Sequence, residues 1–432
     1  MNPEPLNLVT KTCERLLQNF PEVEIKFIIE HQCPQCGAPA ILEETDRLVA
    51  CQYCRVDSYL MPDDYFRYFL PHMSGNDQDL VYFPYWRFKG MLFFCGPSGI
   101  TNRFVDVSHQ AIVTPYFPIS VGVRSQAMKL RFVSADMEGR FLKPRLPFEE
   151  VATNFENRFG KALPKPILHQ AHIGESLSLI YSPFHLKDKL YDAILDKPVS
   201  AKIDEDFNID DFDGGSPKWH IRFVSTLCPN CGWDLEGQRD ALVLLCKNCN
   251  STWYPVGKRL KQLRFARIPG DGDNTIYLPF WRIRADISGI DLKSYADLIQ
   301  IANLPKAVQS GWDDVPFRFW IPAFKVRPQL FLRLASHITV SQPRGELIPE
   351  LPGNRIHPCT LPVKEAIESL AITLAKFMKP RKTLMETFDN IDIAAKSFTL
   401  VFVPFKEEHH EFIQPDYQIA INKNVLAHSK NL

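Results

Sequence analysis

Eight of the eleven cysteines fall into two sets with the same spacing. The first is Cys33-Pro34-Gln35-Cys36, fourteen residues, then Cys51-Gln52-Tyr53-Cys54. The second is Cys228-Pro229-Asn230-Cys231, fourteen residues, then Cys246-Lys247-Asn248-Cys249. Two residues between cysteines let a tight turn point both sulfurs at one metal. A second such turn, arriving from a separate strand, completes a tetrahedron. Four thiolates leave no open position for water or substrate, so the chemistry expected is structural zinc, two ions per chain, and not a catalytic centre. Gly37 and Gly232 each follow a first turn and supply a residue free to take positive φ. Arg55 and Asn250 follow the second turns, which therefore read as less ideal. Disulfides are disfavoured because nothing marks the chain as secreted. A redox Cys-x2-Cys would need no partner pair at matched spacing.

This fourfold thiolate pattern resembles the zinc ribbon family, with rubredoxin-like knuckles, over residues 31–58 and 226–254. The resemblance implies a local fold and no particular activity, since zinc ribbons serve transcription factors, polymerase subunits, ribosomal proteins and adaptors alike.

The elements around the cysteines repeat as well. Val81-Tyr82-Phe83-Pro84-Tyr85-Trp86-Arg87 returns as Tyr277-Leu278-Pro279-Phe280-Trp281-Arg282, displaced by the same interval as the cysteines. Tyr116-Phe117-Pro118 is matched to Trp320-Ile321-Pro322, and Tyr181-Ser182-Pro183-Phe184 to Phe402-Val403-Pro404-Phe405. β-Branched and aromatic residues surround each phrase and favour strands. A proline inside a strand belongs at an edge, a strand start or a bulge. Helices are expected over 5–20, 147–159, 291–303 and 362–378, from apolar residues at helical spacing and Leu-Pro starts at Leu146-Pro147 and Leu361-Pro362. The expected fold is α+β. Two homologous halves each carry a four-cysteine ribbon followed by a mostly antiparallel sheet with one main helix. The boundaries read as an N-terminal helix within 1–24, a first half at 25–203, an acidic linker at 204–217 and a second half at 218–432.

The chain has 432 residues, is 45% hydrophobic and 23% charged, and balances 50 basic against 50 acidic side chains. That balance argues against a protein devoted to wrapping nucleic acid. There is no signal-peptide pattern and no apolar run long enough for a membrane helix, so a reducing cytoplasm is the expected location. Cys13, Cys95 and Cys359 read as buried thiols. Phosphate-loop, dinucleotide, nucleophile-elbow and His-Glu-x2-His motifs are all missing.

Three functional readings follow. The first is a cytoplasmic, non-enzymatic scaffold or adaptor for a protein partner. Trp86 and Trp281 are its candidate partner-facing residues, although large aromatics are mostly core. The second is a nucleic-acid binder acting through the second ribbon. Nine basic residues face three acidic ones between Lys218 and Arg267, and the candidates are Arg239, Lys247, Lys258, Arg259, Lys261 and Trp253. The third is an enzyme with its site in the cleft between the halves, which no motif supports.

Overall fold

The computed structural model describes residues 28–428, apart from the stretches 73–79, 161–164, 200–206 and 381–385 and the single positions 34, 44, 63, 129, 188, 218, 220, 258 and 271. The helix expected over 5–20 lies outside the described residues. The fold mixes helix and strand, with sheet predominating.

Two long antiparallel strand pairs form its frame. Leu80–Gly96 runs against His169–Leu186, with a bulge between Ile173 and Ser176. Thr275–Ser288 runs against Asp392–Glu407, with a bulge between Arg284 and Ala285. The first pair belongs to an eleven-stranded sheet and the second to a seven-stranded one. Aromatic and β-branched side chains fill both, and Phe83, Tyr85, Phe93, Phe280, Val401 and Phe405 are fully buried.

The strand prolines do not lie at sheet edges, which corrects the sequence expectation. Pro84 and Pro279 sit inside central strands, at the point where the neighbour on one side changes. Leu80–Gly96 pairs with Arg140–Leu142 at Val81 and Tyr82, then with Gly99–Gln110 from Tyr85 onward. Thr275–Ser288 pairs with Arg355–Ile356 at Ile276 and Tyr277, then with Phe319–Pro322 from Phe280 onward. The N–H and C=O of one residue leave a strand on the same side. The missing proline donor therefore faces the gap between two neighbours and costs no ladder bond. The Pro84 carbonyl accepts from the Ala111 N–H (2.9 Å), and the Pro279 carbonyl accepts from the Ala323 N–H (3.0 Å). Pro183 and Pro404 occupy corresponding gaps on the returning strands. Pro183 falls between the partners Phe66–Phe69 and Leu190–Asp192. Pro404 falls between Phe265–Arg267 and Glu411–Gln414.

Pro118 is not in a strand at all but in the irregular segment 111–121. Its expected counterpart Pro322 ends the strand Phe319–Pro322, and the residue at the same register position in the first sheet is Gln110, opposite Tyr85 as Pro322 is opposite Phe280.

The helices are Phe148–Gly160, Tyr295–Ile301, Pro328–Ser341 and a broken pair, Val363–Glu368 and Leu370–Phe377, with shorter turns elsewhere. The helix expected over 362–378 breaks at Ser369, whose hydroxyl donates to the Ala366 carbonyl at 2.7 Å. Ser294 and Asp297 form a capping box at the start of Tyr295–Ile301. Pro328–Ser341 was not expected from the sequence.

The cores do not follow the expected boundary. Met91, Phe93, Cys95, Ala171 and Ile173, at the bulged end of the first strand pair, belong to the core built by the second sheet and its helices. Phe93 meets Phe331 with ring centroids 6.1 Å apart. The acidic stretch 207–216 packs on the first sheet. Asp210 pairs with Arg140 at 2.5 Å, and Gly214–Gly215 pairs with Phe141 and Leu142.

Candidate metal centres

Both cysteine sets close. The sulfurs of Cys33, Cys36, Cys51 and Cys54 all lie within 4.8 Å of one another, and so do those of Cys228, Cys231, Cys246 and Cys249. Adjacent pairs stand at 3.8 Å (Cys33 to Cys54), 3.7 Å (Cys36 to Cys51), 3.6 Å (Cys228 to Cys249) and 3.5 Å (Cys231 to Cys246). A zinc–sulfur bond of about 2.3 Å in a regular tetrahedron places sulfurs about 3.8 Å apart, so the donor set fits a four-coordinate zinc.

Local backbone geometry holds these positions. The Gly37 and Gly232 N–H groups donate to the carbonyls of Cys33 and Cys228, each at 2.9 Å. Both glycines take positive φ, 71° and 73°. Arg55 and Asn250 adopt the same left-handed conformation, φ 60° and 53°, so the second turns match the first in spite of their side chains. Asn250 also earns its place chemically: its amide donates to the Pro349 carbonyl and accepts from the Leu351 N–H, tying the second ribbon to a distant loop. Backbone N–H groups of Cys54 and Tyr53 lower the Cys51 thiol to about 6. The Ser251 hydroxyl and the Asn230 side chain lower Cys249 to about 6. Burial and the neighbouring thiols push Cys54 and Cys246 the other way, up to about 12, so the negative charge is shared unevenly within each tetrad.

The two ribbons are joined. Leu48, Tyr59 and Met61 from the first share one buried cluster with Cys228, Leu235, Leu244, Cys246 and Trp253 from the second. Strand Arg222–Ser225 pairs antiparallel with Asp57–Met61. The Arg47 and Leu48 N–H groups donate to the Arg239 carbonyl at 2.6 and 2.8 Å, and the Tyr59 hydroxyl donates to the Ala241 carbonyl at 3.2 Å. Nothing local in either ribbon announces this seam.

The other candidates separate. Trp86 and Trp281 are buried, at 4% and 3% exposure, and are not offered from a sheet edge. Their indole N–H groups donate to the carbonyls of Leu146 (2.8 Å) and Leu361 (2.9 Å), the leucines of the two Leu-Pro starts. Trp253 is buried too, donating to the Ser251 hydroxyl at 2.8 Å, so its face is not open for stacking on a base. Arg239 pairs with the buried Asp46 at 2.5 Å and Lys247 with Glu236 at 2.6 Å. Arg259 and Lys261 are exposed on the strand Arg259–Leu263, and Lys258 lies outside the described residues.

Among the described residues of the ribbons, the aromatics that face water are Tyr53 (70% exposed) and Trp233 (61%), with Val56 and Leu227 beside the joined strands. His169 and His172 are half-buried on one strand at an odd separation, which points them to opposite faces and away from a common metal. Burial lowers His172 to about 4. Cys95 and Cys359 are buried.

Two four-cysteine, zinc-ribbon-like sites capable of binding metal are therefore the chemistry this chain carries. No protein-family model, curated protein or solved structure matches it. No helix among the described residues is long and apolar enough to cross a membrane.

Proposed function

We propose that this chain is a cytoplasmic, non-enzymatic zinc-binding scaffold that holds a protein partner. Two structural Zn2+ ions, each bound by four thiolates, would fasten together two diverged copies of one ribbon-plus-sheet unit. The observation that carries this reading is the shared buried seam between the ribbons, which places both metal sites in one joined unit. The repeated main-chain bonds at Pro84 and Pro279, and the repeated indole bonds of Trp86 and Trp281, support descent from one duplicated unit. Tyr53, Val56, Leu227 and Trp233 supply exposed apolar surface on the ribbon unit, where aromatic anchors suit a protein partner. The burial of Trp253 and the acidic partners beside Arg239 and Lys247 at the surface weigh against the nucleic-acid reading.

Two measurements test the proposal. Metal analysis of the purified chain should return two zinc ions, and one or none would refute the metal assignment. Affinity capture from the host lysate, with and without nuclease, should recover a protein that survives nuclease and is lost in a Tyr53→Ser, Trp233→Ser variant. Recovery that collapses with nuclease would transfer the function to nucleic acid.

A further inference from the structure

Arg87 and Arg282 each follow a buried tryptophan on the outgoing strand of a long pair. The register around them is the same: Trp86 stands opposite His109 and Trp281 opposite Ile321, and the neighbouring strands run on antiparallel from there. Counting along those strands, Asp106 stands opposite Lys89. The matching position in the second sheet, one residue beyond the Ile283–Phe319 pair, is Arg318, opposite Arg284. An arginine thus occupies the place of the carboxylate.

The consequence is electrostatic. Arg87 is fully buried and bidentate with Asp106, both bonds 2.8 Å. Arg282 is half-buried with its guanidinium 5.8 Å above the Trp320 ring, and it has no carboxylate partner among the described residues. Among the described residues the Arg284 and Arg318 side chains have no carboxylate partner either, and the Arg318 guanidinium donates to the Phe317 carbonyl at 2.6 Å. Burial, then the positive charges of Arg282 and Arg284, push the Arg318 guanidinium below its usual range. Thr399 stands opposite Arg282 and Ser397 opposite Arg284 on the returning strand, so two half-buried hydroxyls share this face with the three guanidiniums. Gln342 fixes the Arg318 backbone from both sides, accepting from its N–H at 3.1 Å and donating to its carbonyl.

We propose that Arg282, Arg284 and Arg318, with the hydroxyls of Ser397 and Thr399, form a binding site for a phosphoryl group. Three like charges, of which Arg282 and Arg318 are half-buried and Arg284 exposed, repel one another until an anion arrives. A carboxylate satisfies one guanidinium, as Asp106 does. A phosphoryl group brings up to two charges and three acceptor oxygens, which suits three forks and two hydroxyl donors. This site is separate from the zinc centres and does not depend on the scaffold reading.

The test is thermal unfolding of the full zinc-loaded chain at constant ionic strength, with inorganic phosphate, a phosphomonoester such as phenyl phosphate, or acetate added. Both phosphoryl compounds should raise Tm in a saturable way and acetate should not. A stronger response to the ester assigns the site to an esterified ligand, and a stronger response to phosphate assigns it to the free ion. Arg284→Gln should weaken the apparent Kd by about tenfold, as expected for one lost charge-assisted contact. Arg318→Asp restores the arrangement seen at Asp106. It should abolish the phosphate response while unfolding no earlier than the unliganded parent. Equal responses to acetate and phosphate, or an undiminished response in either variant, would overturn the proposal.

Discussion

The two long strand pairs solve the same backbone problem in one way and the same charge problem in two. Pro84 and Pro279 sit in equivalent gaps, and Trp86 and Trp281 reach equivalent carbonyls. One residue further on, Arg87 is sealed in with Asp106, whereas Arg282 lies half-open beside two more arginines. A buried guanidinium cannot shed its proton, so complete burial demands a carboxylate inside the fold. Partial exposure lifts that demand and leaves the charge available to something outside. Main-chain geometry is alike in the two sheets while the sign of the charge at the matched position differs.

Variants at matched positions should show where the two regions behave alike and where they part. The largest effect is expected from Cys33→Ser and Cys228→Ser, since metal binding energy at such sites is folding energy, on the order of 10 kcal/mol. Because the ribbons share a seam, hydrogen exchange should show loss of protection in both ribbons for either variant. Loss confined to the mutated ribbon would separate them. Next comes charge. Asp106→Asn removes the carboxylate charge from the buried Arg87 and should cost about 3–5 kcal/mol in chemical denaturation. Arg282→Gln removes a repelled charge and should be neutral or stabilising. Equal destabilisation by the two would break the comparison.

Trp86→Phe and Trp281→Phe should cost similar amounts, about 1 kcal/mol each for the indole hydrogen bond. A large difference between them would mean that the matched bonds are not equivalent. The smallest effect belongs to the second sheet alone. Lys423 and Arg355, each 2.6 Å away, hold the Glu407 carboxyl below its usual range, the lysine bond contributing most. The folded state thus favours its charged form. The stabilisation is present above the ordinary carboxylate pKa and fades as pH falls through the depressed one. Solvent screening keeps it to about 0.5 kcal/mol, to be read as a reduced acid sensitivity of Glu407→Gln unfolding.

What the sequence reveals here is what local geometry dictates. The cysteine tetrads are legible because each knuckle is a four-residue turn, and the matched spacing brings the turns together. Strand positions for Tyr82, Trp86, Tyr277 and Trp281 follow from aromatic and β-branched runs. Helix Pro328–Ser341 is hard to read because more than half of it is buried and its exposed stripe, Gln329, Arg333 and His337, is one residue wide. Phe331, Leu332, Leu334, Ala335, Ile338 and Thr339 face the core, so the apolar face is wide and the helical period is carried by three exposed residues alone. Its Ile338-Thr339-Val340 run even favours a strand. The domain boundary misleads for the opposite reason. Its acidic and glycine residues look solvent-bound, yet Arg140 and Arg145 supply partners from the first half. Register alone placed Arg318 where Asp106 stands, and register is a property of paired strands that a linear pattern does not contain.

The joined ribbons also set an order of assembly. The Tyr59 hydroxyl bonds a carbonyl 182 residues further along the chain. During synthesis, the first four cysteines leave the ribosome long before the strand and apolar side chains that cover their flank. The first tetrad can gather its metal early, but Leu48, Tyr59 and Met61 stay wetted until the second ribbon emerges and folds against them. A nascent chain stalled between the two ribbons would therefore carry a closed metal site with an open, adhesive side, the state in which a chaperone would find it.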